Sequence, residues 1–245
     1  MDKFQKIHLV KYRKTVISPK AKLFDRIKEI VEKKLSDSCS AHQIDHMERV
    51  YNLCLHLAKG EKVDLEVLKA AALLHDISKA KDYDDKTGAA DHAVEGAKMA
   101  GPILKKLGFD EDKIKHIQDC IISHRYKTDN QPGTLEAKIL FDADKLEAIG
   151  AIGVARAFIW IGKNNGKMYY KPENLDEYIK KNLGGKINGK IKDRTIHSPQ
   201  IEYETKVKFI LDKLYTKKAK EIGGERKKYF EDFLNRLEKE IEGEI

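Results

Sequence analysis

Ala70-Ala71-Ala72-Leu73-Leu74-His75-Asp76-Ile77 sets a histidine and an aspartate side by side at the end of an apolar run. The pair offers one neutral nitrogen and one anionic oxygen to a single point, a mixture that borderline divalent metals favour. Further candidate ligands lie on predicted helices to either side: His42 and His46 upstream, and His92, His124, Asp142 and Asp144 downstream. The chain reads as a metal site assembled from several helices.

Outward from this pair, nearly every segment has helical periodicity. Val67, Leu68, Ala71, Ala72 and Leu74 lead into His75. Over about 42–59, Ile44, Met47, Val50, Tyr51, Cys54, Leu55 and Ala58 form one stripe, and Leu23, Ile27, Ile30, Val31 and Leu35 form an earlier one. The polar run from Lys79 to Gly88 reads as a loop, followed by helices over about 91–107 and 111–125. Thr134 is predicted to open one long helix that carries Ile139, Leu140, Ala143, Leu146, Ile149, Ile152 and Val154 towards Trp160. Glu136 in its first turn suits the helix dipole.

Residues 162–197 change character, with glycines among lysines and asparagines and one short helix expected near 173–182. This is a loop-rich basic insert or lid. Two amphipathic helices follow between Pro199 and Ile241, with a break expected near Gly223-Gly224 or slightly before it. Strand-like alternation is scarce. The expected fold class is all-α: an N-terminal extension with a helix (1–35), a metal-binding core (36–161), the insert (162–197) and C-terminal helices packing on the core (198–245).

Composition narrows the function classes. A hydrophobic content of 41% over 245 residues excludes a disordered chain and allows a sizeable core. No apolar stretch approaches the roughly 18 residues of a membrane helix, and Met1 to Lys6 lack a signal-peptide pattern. Cys39, Cys54 and Cys120 are odd in number and widely spaced, which points to reduced thiols and a cytoplasmic protein. The net charge of +8 concentrates in residues 1–22 and 162–194. Such a basic excess attracts polyanions, although no aromatic groove accompanies it, so nucleic acid is a weakly supported partner.

His42 and His46 share a helix face, and Arg49 continues it. Asp142 and Asp144 stand inside an otherwise apolar helix, where carboxylates are costly unless paired or bound to a cation. Asp142 faces another side of that helix and is expected to orient a ligand from behind. His46, His75, Asp76 and Asp144 together supply two nitrogens and two oxygens, with room for water and substrate, as metal-assisted hydrolysis requires.

His46 to Val50, Leu73-Leu74-His75-Asp76-Ile77 and Asp142-Ala143-Asp144-Lys145-Leu146 resemble the HD-domain metal-dependent phosphohydrolase superfamily, and within it the poorly characterised single-domain hydrolases. The continuation of the last motif from Glu147 to Phe158 is similar as well, so the resemblance covers about 40–160. It implies an HD helical bundle in which His46, His75, Asp76 and Asp144 are the metal ligands. Asp76 would then bridge if two ions bind. His92 and His124 resemble the extended pattern of two-metal members and are candidates for a second ion, a phosphate contact or proton transfer. Lys79 resembles the lysine of the His-Asp-x-x-Lys pattern, where it would meet phosphate oxygens. Arg125 stands where the HD-GYP branch has a second histidine, and no Gly-Tyr-Pro follows, against a cyclic-dinucleotide phosphodiesterase.

The resemblance thus implies hydrolysis of a small phosphorylated substrate, a nucleotide above all. The cofactor would be one or two divalent ions (Mn, Fe, Ni, Co, Zn or Mg), with Arg49, Lys145 and Arg156 as candidate phosphate contacts. Two alternatives remain open: a di-iron oxygenase on the same ligand set, and a nucleotide-sensing or nucleic-acid-binding module with a structural metal. Oligomeric state is not legible in the sequence. His8, His56, His116 and His197 fall in no motif and are read as structural or surface residues, and Trp160 as packing.

Overall fold

The structure, a computed structural model, describes residues 19–36, 41–78, 91–125 and 130–245, without the side chains of 19–21, 36 and 41–44. The described residues form helices α1 (Pro19–Ser36), α2 (Ala41–Leu57), α3 (Leu65–Leu74), α4 (His92–Lys106), α5 (Glu111–Ser123), α6 (Leu135–Leu146), α7 (Gly150–Lys163), α8 (Leu175–Asn182), α9 (Pro199–Thr205) and α10 (Lys217–Glu242). Among them there is no strand, so the all-α expectation holds. None of their helices is long and apolar enough to cross a membrane.

The hub is α3. Apart from Lys69, every residue from Val67 to Leu74 is buried, and a helix apolar on all sides can only sit inside a bundle. It packs against α1, α2, α5 and α6, while α4 pairs with α5 and α10 covers α6 and α7. Asp64 caps α3 by accepting from the backbone N–H groups of Glu66 and Val67 (2.8 and 3.2 Å), and its own N–H donates to buried Glu136 at 2.7 Å. These bonds pin the start of α3 to α6, so its far end delivers His75-Asp76 to a set place.

Two elements depart from the periodicity reading. The single helix expected from Thr134 to Trp160 is two, because the chain is extended at Ile149 and Gly150 adopts φ +73°. That left-handed conformation suits glycine, and the Arg226 side chain leaves little room for a Cβ there. Conversely, α10 runs unbroken through Gly223-Gly224, and the break falls earlier, at two short 3₁₀ turns (Val207–Phe209, Leu211–Lys213). Gly223 is a close-approach point: a Cβ there would lie 2.9 Å from the Leu214 side chain. The helix tolerates glycine for the packing it permits.

The insert is built as well as charged. Tyr178, Leu183 and Ile201 form a small core of their own. Beside it Asn182 donates to the Tyr178 hydroxyl (2.7 Å) and to the Asp193 carbonyl (2.9 Å), and Tyr178 meets His197 Nδ1 at 2.9 Å. His197 is therefore a buried structural histidine.

Candidate metal centre

Five helices converge on one spot. α2 brings His46, the turn after α3 brings His75 and Asp76, α4 opens on His92, α5 is capped by His124, and α6 carries Asp144. His46 Nε2 lies 3.2 Å from Asp144 Oδ1, 3.6 Å from Asp76 Oδ2 and 3.4 Å from His75 Nε2. His75 Nε2 is 3.5 Å from the same Asp76 oxygen. On the other side, Asp76 Oδ1 faces His124 Nε2 at 3.6 Å and His92 Nε2 at 3.9 Å. Asp76 thus presents one oxygen to each of two neighbouring groups. The ligand atoms of His46, His75 and Asp144 lie within 4.8 Å of one another, as do those of His75, Asp76 and His124.

The remaining hydrogen bonds show what these atoms lack. His75 Nδ1 donates to the Ala72 carbonyl (2.8 Å) and His124 Nδ1 to the Ile121 carbonyl (2.5 Å). His46 Nδ1 faces Glu147 Oε2 at 3.3 Å and donates to it. In neutral imidazoles these bonds leave all three Nε2 atoms as acceptors, aimed at two carboxylates that only accept. Such convergence is unfavourable unless a cation stands between, and ligands about 2.1 Å from one ion sit about 3.0–3.4 Å apart, close to the spacings seen. The donor set fits one or two divalent ions.

Titration behaviour follows. Burial pushes His75 down to about 4, with His124 and His46 adding to it against the pull of Asp76, so it is neutral at pH 7. Burial also lowers His46, but its contacts with Asp144 and Glu147 outweigh that and raise it. Burial raises Asp144, yet the Lys145 ammonium 2.6 Å away and His46 hold it well below the ordinary carboxylate range. A bound metal would compete with a proton for His46, so metal affinity should fall as pH falls.

Glu147 did not enter the candidate set from sequence, although it lies one turn after Asp144. It is buried, faces His46 Nδ1 and accepts from Arg49 Nε at 2.9 and 3.2 Å. Arg156 donates to its backbone carbonyl at 3.2 Å. This carboxylate fixes the His46 tautomer, and Arg49 acts through it. Glu147→Gln is expected to weaken metal affinity about 10–100-fold, read by calorimetric titration, while the fold melts normally. Unchanged affinity would remove Glu147 from the centre.

Asp142 takes no part in the cluster. It accepts from the Tyr215 and Thr216 N–H groups (2.8 and 2.7 Å) and from the Thr216 hydroxyl (2.7 Å), tying α6 to the start of α10. Arg125 pairs with Asp91 at 3.0 Å, the cap of α4, and so holds the His92 end of α4 beside His124. The side chain of His42, and the whole of Lys79, lie outside the described residues.

The HD-domain family model matches residues 44–149, spanning the residues of this cluster. Uncharacterized protein MJ0778 of Methanocaldococcus jannaschii is 34% identical over 127 residues, covering 46% of this chain and 70% of that protein. The chain belongs to the HD-domain family. This HD-domain chain is also 27% identical over 220 residues to uncharacterized protein YpgQ of Bacillus subtilis, covering 89% of the chain and 94% of YpgQ. An HD-superfamily hydrolase from Bacillus thuringiensis has the same fold (TM-score 0.64, 25% identity, 91% of this chain and 98% of that one). So does YpgQ, solved in complex with ADP (TM-score 0.65, 24% identity, 90% and 96%).

Proposed function

We propose that this HD-domain protein is a metal-dependent phosphohydrolase acting on a nucleotide or another small phosphoester. The observation that carries the reading is the convergence of histidine and carboxylate acceptor atoms on two adjoining positions that share Asp76. A divalent ion held by His46, His75, Asp76 and Asp144 supplies Lewis acidity and water acidified to near neutrality. The second position, bounded by Asp76 and His124, would take another ion or the substrate's phosphoryl group.

The chain's own groups supply the rest. Glu147 and Arg49 keep His46 in one orientation, so the ligand set does not have to reorganise during the reaction. Lys145, whose ammonium stands against Asp144 at the edge of the centre, is placed to offset charge on the phosphoryl oxygens. His92, about one-seventh exposed where His124 is buried, is the group placed to give a proton to the leaving oxygen. The ADP bound to YpgQ supports a nucleotide as the substrate class.

The test is phosphate release from a panel of nucleotides and generic phosphoesters by metal-stripped protein, each divalent ion being added back. Turnover restored by an ion and selective for nucleotides is expected. Stoichiometric metal with no turnover under any ion overturns the reading. If the iron-loaded protein instead consumes oxygen, the same ligand set serves oxidation.

A further inference from the structure

A cavity of about 390 Å³, separate from the acceptor cluster, lies between α7, the insert and α9. Arg156, Lys190 and Lys206 line it against one carboxylate, Glu202. That carboxylate is already engaged: Lys206 donates to it at 2.6 Å, and its other oxygen faces His197 at 3.3 Å. Burial alone would push Glu202 up, but the Lys206 charge and the His197 contact hold it well below the ordinary carboxylate range. The lining side chains therefore carry a positive excess, although Arg156 also lies 3.7 Å from the Glu147 carboxylate behind the wall, which Arg49 shares. Trp160 stands edge-to-face on His197, ring centroids 5.3 Å apart, and buried Phe230 also lines the cavity. Concavity, aromatic walls and a few converging cations are the features of a small-molecule site, and the volume falls in the usual range.

The wall is held in place before any ligand arrives. His197, Tyr178, Asn182 and Asp193 form a continuous hydrogen-bonded chain behind it. In front, the loop is shaped by left-handed residues: Gly184 at φ +66°, Gly185 at +76° and Asn188 at +60°. Gly189 admits no side chain, since a Cβ would fall 2.0 Å from the Leu183 carbonyl oxygen. Asn188 in this region is strained relative to glycine, and such strain persists where surroundings over-determine it. The path carries Asn188, Gly189 and Lys190 onto the cavity. The basic insert is thus more than a solvated surface.

We propose that this cavity binds a nucleoside phosphate, its base against Trp160 and its phosphate among Arg156, Lys190 and Lys206, without needing a metal. The site does not rest on the proposed hydrolysis. Arg156 also reaches the Glu147 carbonyl, so the cavity adjoins the residue that orients His46.

Trp160 is the chain's single tryptophan, so its emission reports this cavity alone. The full chain, stripped of metal by a chelator, is titrated with ADP, with inorganic phosphate alongside. Saturable quenching by ADP is expected, with the apparent Kd weakened about tenfold by Lys190→Ala, the loss of one charge-assisted contact. Asp76→Ala should leave that Kd unchanged. No quenching up to millimolar ADP, quenching abolished by Asp76→Ala, or a Kd insensitive to both Lys190→Ala and Lys206→Ala would overturn the proposal. Because the titration uses no metal, it can fail while phosphate release stands, and the reverse. Adding metal separates the two sources of the ligand. One ADP per chain with a tighter Kd identifies the far end of a molecule spanning both sites, and two per chain identify a separate effector; both support the cavity site.

Discussion

Asp76→Ala is expected to abolish stoichiometric metal binding and to lower kcat/KM for phosphate release by at least about 10³-fold. Loss of one transition-state donor typically costs about 10²–10³-fold, and Asp76 serves both halves of the centre. Its Oδ2 faces His46 and His75, and its Oδ1 faces His124 and His92. The fold should survive, because the substitution removes an anion from a cluster of facing acceptors and relieves repulsion in the metal-free state. Thermal melting tells this from misfolding. A metal at a hundred times its Kd stabilises by about 2.7 kcal/mol, which for a chain of this size raises Tm by roughly 5–10 °C. Wild type should show that rise and Asp76→Ala should not, while their metal-free Tm values stay similar. A variant that keeps its metal and its turnover would sink the assignment of the centre.

Asp142→Ala should do the opposite, costing stability and sparing chemistry. Three donors converge on this buried carboxylate from Tyr215 and Thr216, at the junction where the 3₁₀ turns give way to α10. Removing it leaves the backbone donors at the head of α10 without their acceptor, in a place water reaches poorly. The loss of a capping partner together with buried unsatisfied donors amounts to about 2–4 kcal/mol, or a fall in Tm of roughly 5–15 °C. Metal affinity measured well below the melt should remain within about twofold of wild type, since the Asp142 carboxylate bonds to Tyr215 and Thr216 on the other side of the helix and to no group of the cluster. A large loss of metal with an unchanged Tm would return Asp142 to the centre.

The contrast between Asp142 and Asp144 shows where sequence reading stops. Both are aspartates inside one apolar helix, and each is costly to bury alone. Their spacing of two places them on different faces, which was legible. Which face meets the histidine cluster and which meets the head of α10 depends on a contact across more than 70 residues. Glu147 is the matching case at the centre. Its position one turn after Asp144 was visible, but its partners His46 and Arg49 lie about a hundred residues upstream. Local patterns misjudged two glycine positions for a related reason. Gly150 breaks a helix whose apolar stripe continues, and Gly223 fails to break one because Leu214 needs the space beside it.

By itself, the sequence determined the helical class, the order of most helices and the residue types of the centre. Apolar periodicity and the cost of burying an unpartnered histidine or aspartate are properties of short stretches of chain. Tertiary structure alone decided that Asp76 presents its two oxygens to opposite groups of histidines, and that Glu147 stands behind His46. It also decided that the basic insert folds around His197 to wall a cavity apart from that centre. Each of these needs side chains from distant segments close to one another: the packing of α2 to α6 into one bundle brings the first two about, and the packing of the insert against α7 and α9 the third.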